Sequence, residues 1–419
     1  MPSQLLRQVR LIDPIAALDR ITDVLIADGV IQSVADAIAA AADEVIDRPG
    51  LVLGVGLVDL YSHSGEPGFE SRETLDSLMQ AAAAGGFTQV ALLPDTDPAI
   101  DNPASVDRMR LQAQGGAVQI HLWGALTQHA KGEALSELVE LSAAGVVGFA
   151  DSQPIANAAL LRRALEYAQP LNTPIALWCC DRQLVGNGVV REGLDSIQLG
   201  LPGNPAMSET SAIAAVLEVI EAIRSPIHLM RISTARSVEL IRAAKARNLP
   251  ITASTTWMHL LLDTQDLISY APSLHLEPPL GNPSDRHALL AGLQDGTIDA
   301  IAIDHSPYTY EEKTVAFAEA PPGAIGLELA LPLLWHRWVE AGKCEALDLW
   351  RWLSLNPARC LGLALNPIAS RQPANLVLFD PQQIWRIDER TLKSRSSNTP
   401  WYRQEIQGRV IRSWSNLSL

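Results

Sequence analysis

In this 419-residue chain, the side chains able to do chemistry cluster at the ends of apolar runs. Asp59, Tyr61 and His63 alternate at the end of the run 51–60, and two-residue spacing puts Tyr61 and His63 on one face of a strand. Asp95, Asp151, Trp178, Arg231, Ser254 and Asp304 close later runs. His63, Asp151 and Asp304 form a set of one histidine and two carboxylates that in principle can hold a metal ion. Arg231 opposes that use, because a guanidinium offers only donors and a fixed positive charge. Trp178 has an indole N–H and no ligating lone pair. The plainer reading makes His63 a hydrogen-bonded structural residue and Tyr61, Trp178 and Trp257 aromatics that fill the core. Asp304 and His305 are neighbours on a strand and face opposite sides. Cys179 and Cys180 have no recognisable base beside them, which argues against a thiol nucleophile.

These residues must be positioned by the elements that carry them. Strand-sized apolar runs occur at 51–60, 87–93, 118–123, 145–149, 174–178, 226–230, 250–253 and 300–303. Between them lie stretches rich in Ala, Leu, Glu and Arg at 75–84, 156–168, 208–222, 235–246 and 286–293. Near-continuous apolar strands alternating with helices predict a parallel sheet covered by helices. Eight units predict an α/β fold of the (β/α)₈ barrel type, whose site lies at the C-terminal strand ends. An open doubly wound sheet is the runner-up, and no glycine-rich phosphate fingerprint follows the first strand to support it.

Both chain ends read differently. A hairpin signal at 24–34 and the turn 47–50 open the chain, and strand-like runs at 374–379 and 410–414 close it. The expected organisation is therefore a barrel at 51–363, with a small β-sandwich domain formed from 1–50 and 364–419.

The net charge of −15 supplies no basic footprint for nucleic acid or an anionic membrane. Four cysteines without metal or disulfide spacing fit a reducing compartment. With no signal-peptide core and no spanning apolar run, the expected location is cytoplasmic.

The segment 58–70, VDLYSHSGEPGFE, resembles the opening signature of bacterial dihydroorotases, D-L-H-x-H-x-R-E-P-G-x-E. The likeness continues through AAAAGGFTQV at 81–90, LPDTDP at 93–98 and HLMRIST at 228–234. It extends to EPPL at 277–280, DHSP at 304–307, NPAR at 356–359, NTPW at 398–401 and Gly408-Arg409-Val410. The resemblance implies an amidohydrolase barrel that reversibly closes carbamoyl-aspartate to dihydroorotate with one or two zinc ions. It implies that Asp304 stands where the family's aspartate moves the proton.

Against that pattern the metal positions are altered. Tyr61 replaces the first histidine of the H-x-H pair, His63 keeps the second, and Trp178 and Arg231 replace the two later histidines. Asp151 stands near the family's ligand aspartate. Counting back from Trp178 selects Asp151, whereas counting forward from Phe149 selects Ser152. The substrate side is altered too: Gly65 and Asp95 replace an arginine and an asparagine that grip a carboxylate, Glu277 replaces another asparagine, and Tyr308 replaces a histidine. His259 matches a family histidine that equally suits the fold.

A buried carboxylate without a metal needs another partner, so Arg231 is expected to pair with Asp304 while Trp178 fills the vacated volume. The resemblance and its departures imply a non-catalytic protein with a structural or assembly role in pyrimidine biosynthesis and no cofactor. Inactive relatives associate with aspartate carbamoyltransferase, the expected partner, and a homodimer is a further expectation. One alternative is a zinc-dependent dihydroorotase or related cyclic amidohydrolase with a changed mononuclear site. The other is a metal-free binding protein for a neutral or cationic small molecule.

Overall fold

The computed structural model describes residues 2–171 and 173–415; positions 1 and 416–419 of the expected outer domain lie outside that range. Eight parallel strands follow one another as neighbours in a single sheet: Leu57–Ser62, Phe87–Leu92, Gln119–Ala125, Gly148–Ala150, Ile175–Trp178, Ile227–Met230, Ile251–Thr256 and Ala300–Ala302. The first and last strands are drawn together just beyond their ends. Asp304 N donates to Tyr61 O at 3.0 Å, and His63 N donates to His305 O at 2.9 Å. The buried Asp59 carboxylate accepts from Ile303 N at 2.9 Å and completes the seam. The (β/α)₈ expectation holds, because strands buried on both faces leave the near-continuous apolar runs read from the sequence.

Helices cover the outside. Leu75–Ala84 starts at Thr74, whose hydroxyl accepts from Ser77 N at 3.2 Å, and Ala235–Ala246 starts at Thr234, which accepts from Ser237 N at 3.1 Å. Both hydroxyls satisfy amide groups that a helix's first turn leaves unpaired. Inside the barrel, Trp123 lies among Ala91, Ala150, Ala176, Ala300 and Ala302. A Cβ at Gly148 would come within 2.2 Å of that indole, so a large ring on one strand is accommodated by small residues on the others.

The two chain ends unite in a separate seven-stranded sheet. Its strand Gln4–Asp13 breaks register between Leu6 and Val9, with Gln8 in a left-handed conformation. Before the break it pairs with Glu44–Asp47, and after it with Val52–Val55. The strand Leu376–Arg386 pairs with Val52–Val55 and with Glu405–Trp414.

The apolar run 51–60 thus divides between two sheets. Val52–Val55 belongs to the outer sheet and Leu57–Ser62 to the barrel, so the expected boundary at 50/51 is corrected to the neighbourhood of Gly56. Hydrophobic periodicity cannot mark this crossing, because both halves are fully buried. Tight packing marks it: a Cβ at Gly54 would lie 2.1 Å from Trp350 Nε1, which itself donates to Val55 O at 3.0 Å. No helix among the described residues is long and apolar enough to cross a membrane.

Overpacking at this junction should be costly. Gly54→Ala is expected to lower stability by about 1–3 kcal/mol in urea unfolding, and an unchanged midpoint would show that the outer sheet and barrel are not tightly coupled there.

Candidate functional site

The strand ends bring Tyr61, His63, Asp95, Trp178, Arg231 and Asp304 to one mouth. Arg231 directly follows the sixth strand, and Asp304 lies two residues beyond the eighth. Both have positive φ, 55° and 53°, which costs on the order of 1 kcal/mol each for residues with a Cβ. The turns aim the two side chains at each other.

The expected ion pair is formed, and it is bidentate. Arg231 Nε donates to Asp304 Oδ2 at 2.9 Å and Nη2 donates to Oδ1 at 2.7 Å. Nη1 donates to Ser152 O at 3.3 Å. The buried guanidinium also lies over the Trp178 ring, 5.0 Å from its centroid. Burial opposes ionisation of Asp304, but the adjacent Arg231 and His63 hold its carboxyl well below the usual range. Burial likewise opposes the charge on Arg231, and Asp304 outweighs it and raises the guanidinium further.

His63 is engaged on both ring nitrogens. Nδ1 lies 2.6 Å from Asp95 Oδ2. Nε2 lies 2.9 Å from Arg231 Nη2 and 3.4 Å from Asp304 Oδ1. Burial disfavours its charge, yet the flanking Asp95 and Asp304 carboxylates prevail and raise its pKa to about 9. The neutral ring accepts from Arg231, and the protonated ring donates to Asp304. Neither state offers a free lone pair.

Tyr61 is consumed by the barrel interior. Its hydroxyl accepts from Arg231 N at 3.0 Å and lies 3.0 Å from Ser254 Oγ. Ser254 Oγ lies 2.8 Å from His228 Nε2, whose other ring nitrogen lies 2.8 Å from Thr252 Oγ1.

The family's zinc chemistry does not fit this mouth. A guanidinium stands between the would-be ligands, and Tyr61 is tied to neutral groups. The set His63, Asp151 and Asp304 is not assembled, because Asp151 turns away. Its carboxylate accepts from Thr127 N at 3.1 Å and Thr127 Oγ1 at 2.6 Å, and burial raises its pKa to about 6. Ser152, the other register choice, lines the mouth. Among the described residues, no group of three or more His, Cys, Asp or Glu is arranged to hold a metal ion.

The positions that the resemblance associates with substrate are engaged in contacts within the chain. A Cβ at Gly65 would fall 2.3 Å from Glu73 O and 2.8 Å from Phe69 O, so the backbone has closed over the place an arginine would need. Asp95 faces His63 with Oδ2, while its buried Oδ1 has no hydrogen-bond partner. Glu277 pairs with Arg182. Arg182 lies 4.6 Å from the Trp178 centroid, so the indole contacts two guanidinium groups. Tyr308 contacts Arg72 at 4.8 Å and Lys313 at 5.2 Å, and Arg72 Nε donates to Glu312 at 2.9 Å.

The remaining cavity of about 150 Å³ is bordered by His63, Asp95, Arg231, Trp257, Asp304 and Tyr308, among others. Sequence reasoning missed Arg72, Arg182, Glu312 and Lys313, which lie in connecting segments away from the strand ends. His259 lines the mouth, and its ring nitrogens lie 2.7 Å from Thr256 Oγ1 and 3.1 Å from Pro278 O. His305 faces away from the mouth, with Nδ1 accepting from Gly326 N at 3.2 Å, although it and Asp304 lie beyond the eighth strand rather than on it.

Comparisons with known proteins agree with the architecture. Residues 50–237 match the family described as Dihydro-orotase-like. A "Probable dihydroorotase-like protein" of Synechocystis sp. is 44% identical over 99% of this chain and 100% of its own length. A "Dihydroorotase" of Pelotomaculum thermopropionicum is 39% identical over 95% of this chain and 93% of its own. Among solved structures, an L-hydantoinase (dihydropyrimidinase) from Arthrobacter aurescens superposes with TM-score 0.84 at 19% identity, covering 100% of this chain and 98% of that one. The last likeness concerns the fold alone.

Two measurements test the electrostatic centre. Arg231→Met is expected to cost about 3–5 kcal/mol by removing the bidentate partner of the buried Asp304, and adding Asp304→Asn should restore part of it. Simple additivity in that double-mutant cycle would contradict the coupling. Charged His63 stabilises the fold fully below its ordinary value of 6.5 and loses that effect as pH rises through about 9. The stability gap between the wild-type chain and His63→Gln should therefore narrow over that window; a gap independent of pH would argue against it.

Proposed function

This chain belongs to the dihydroorotase-like family, and within it we propose a non-catalytic member with a structural or assembly role in pyrimidine biosynthesis, partnered with aspartate carbamoyltransferase. One observation carries the reading: the Arg231 guanidinium is bonded to Asp304 and lies against His63 Nε2 in the barrel mouth. Cyclic-amide hydrolysis requires an activated water and a base able to take its proton. Asp304 is a poor base here, because Arg231 and His63 stabilise its ionised form. His63 has no lone pair to spare, and the closed loop at Gly65 removes the family's carboxylate grip. The four cysteines are free thiols, in keeping with the cytoplasmic location proposed.

A second reading, metal-free binding of a small molecule, is favoured by the unpartnered Asp95 Oδ1. A buried acceptor beside a cavity suits a neutral or cationic ligand that supplies an N–H. The alternative of a mononuclear enzyme has less support, since Asp151 is committed to Thr127.

A dihydroorotase assay with added zinc, run beside measurement of bound metal, tests the main reading. No turnover above an Asp304→Asn control is expected, and clear turnover above that control would overturn the non-catalytic assignment.

A further inference from the structure

Between the fifth barrel strand and the helix Met207–Ile223, the chain makes an excursion over residues 181–206. It contains a two-stranded ladder, Val190–Arg191 with Gly203–Asn204, and the short helix Leu194–Leu199. Leu194 and Ile197, three residues apart and so on one helix face, are 69% and 78% exposed. A second segment packs beside this helix, the turn Thr264–Ser269, in which Ile268 is 80% exposed and the following Tyr270 is 42% exposed. Four large apolar side chains thus face solvent on two adjoining elements.

The exposure does not come from loose ends, because both segments are fastened. Tyr270 OH donates to Leu199 O at 2.7 Å, and Thr264 Oγ1 donates to the Asp195 carboxylate. The buried Arg191 anchors the excursion to the barrel through Ser233 Oγ at 2.7 Å. An ordered surface that presents several large apolar groups gains by being covered.

Charge selects the covering partner. From 183 to 223 the sole basic residue is Arg191, which is buried, and from 248 to 285 there is no lysine or arginine. Glu192 and Asp266 are exposed beside the apolar group, and Asp195 is half-buried. Arg182, at the start of the excursion, is exposed and paired with Glu277; beyond it the two segments present an apolar centre with an acidic border and no exposed cation. A second copy of this chain, itself at net charge −15, would oppose acids with acids in a symmetric contact.

We infer that Leu194, Ile197, Ile268 and Tyr270 form a docking surface for a different protein, one presenting an apolar patch bordered by lysine or arginine. This inference rests on the assembly role proposed above and adds the face through which it operates.

The test uses the full chain and purified aspartate carbamoyltransferase from the same source as the probe. Binding is measured for the wild type, Ile197→Asp, Ile268→Asp and the control Ile384→Asp, a residue 64% exposed on the outer sheet. Circular dichroism and thermal melts confirm that each variant is folded. Binding should weaken about ten-fold or more for the first two variants, remain unchanged for the control, and weaken as salt rises. Wild-type-like binding by both Ile197→Asp and Ile268→Asp would overturn this surface while leaving the assembly role intact. No binding by the wild type would overturn the assembly role and its occupant together. A self-dimer in sedimentation that Ile197→Asp dissolves would assign the face to a second copy and overturn the inference.

Discussion

The bidentate contact between Arg231 and Asp304 organises the barrel mouth. Bringing two opposite charges out of water costs several kcal/mol per ion, so such a pair adds little net stability over an apolar filling. Its effect is to set what its neighbours can do. Asp304 becomes a fixed anion, His63 is drawn into the same network, and Trp178 becomes a platform for the guanidinium. The positive φ at both partners ties the pair to the turns that end the sixth and eighth strands. Electrostatics and backbone geometry specify one another here, and either alone would be unfavourable.

The same balance extends outward. Glu277 meets Arg182, Glu312 meets Arg72, and Asp95 meets His63. A mouth whose charges are each matched from within has little attraction left for a small anion. The shared Trp178 ring joins the Arg182–Glu277 pair to the Arg231–Asp304 pair. Internal pairing of this kind, repeated around the rim, leaves few of these charged side chains free.

Much of this was legible in the sequence, for definite physical reasons. Strands buried on both faces leave unbroken apolar runs, so the barrel order and the helices 75–84 and 235–246 were readable to the residue or nearly so. Arg231 and Asp304 could be paired on paper because both close barrel strands. The crossing at Gly56 was hidden, since apolar character continues through it. The choice between Asp151 and Ser152 was hidden too, because only the fold shows Thr127 capturing the aspartate. Arg72, Arg182 and Lys313 were invisible for a third reason: they reach the mouth from connecting segments, where no periodicity fixes direction.

The closed backbone around Gly65 limits what can stand there. With Glu73 O 2.3 Å from where a Cβ would stand, an arginine cannot simply be introduced. The loop would have to open first, and opening it brings no gain until the side chain is present. Neither change is rewarded without the other, so the position is held by two coupled requirements, a small residue and a closed loop.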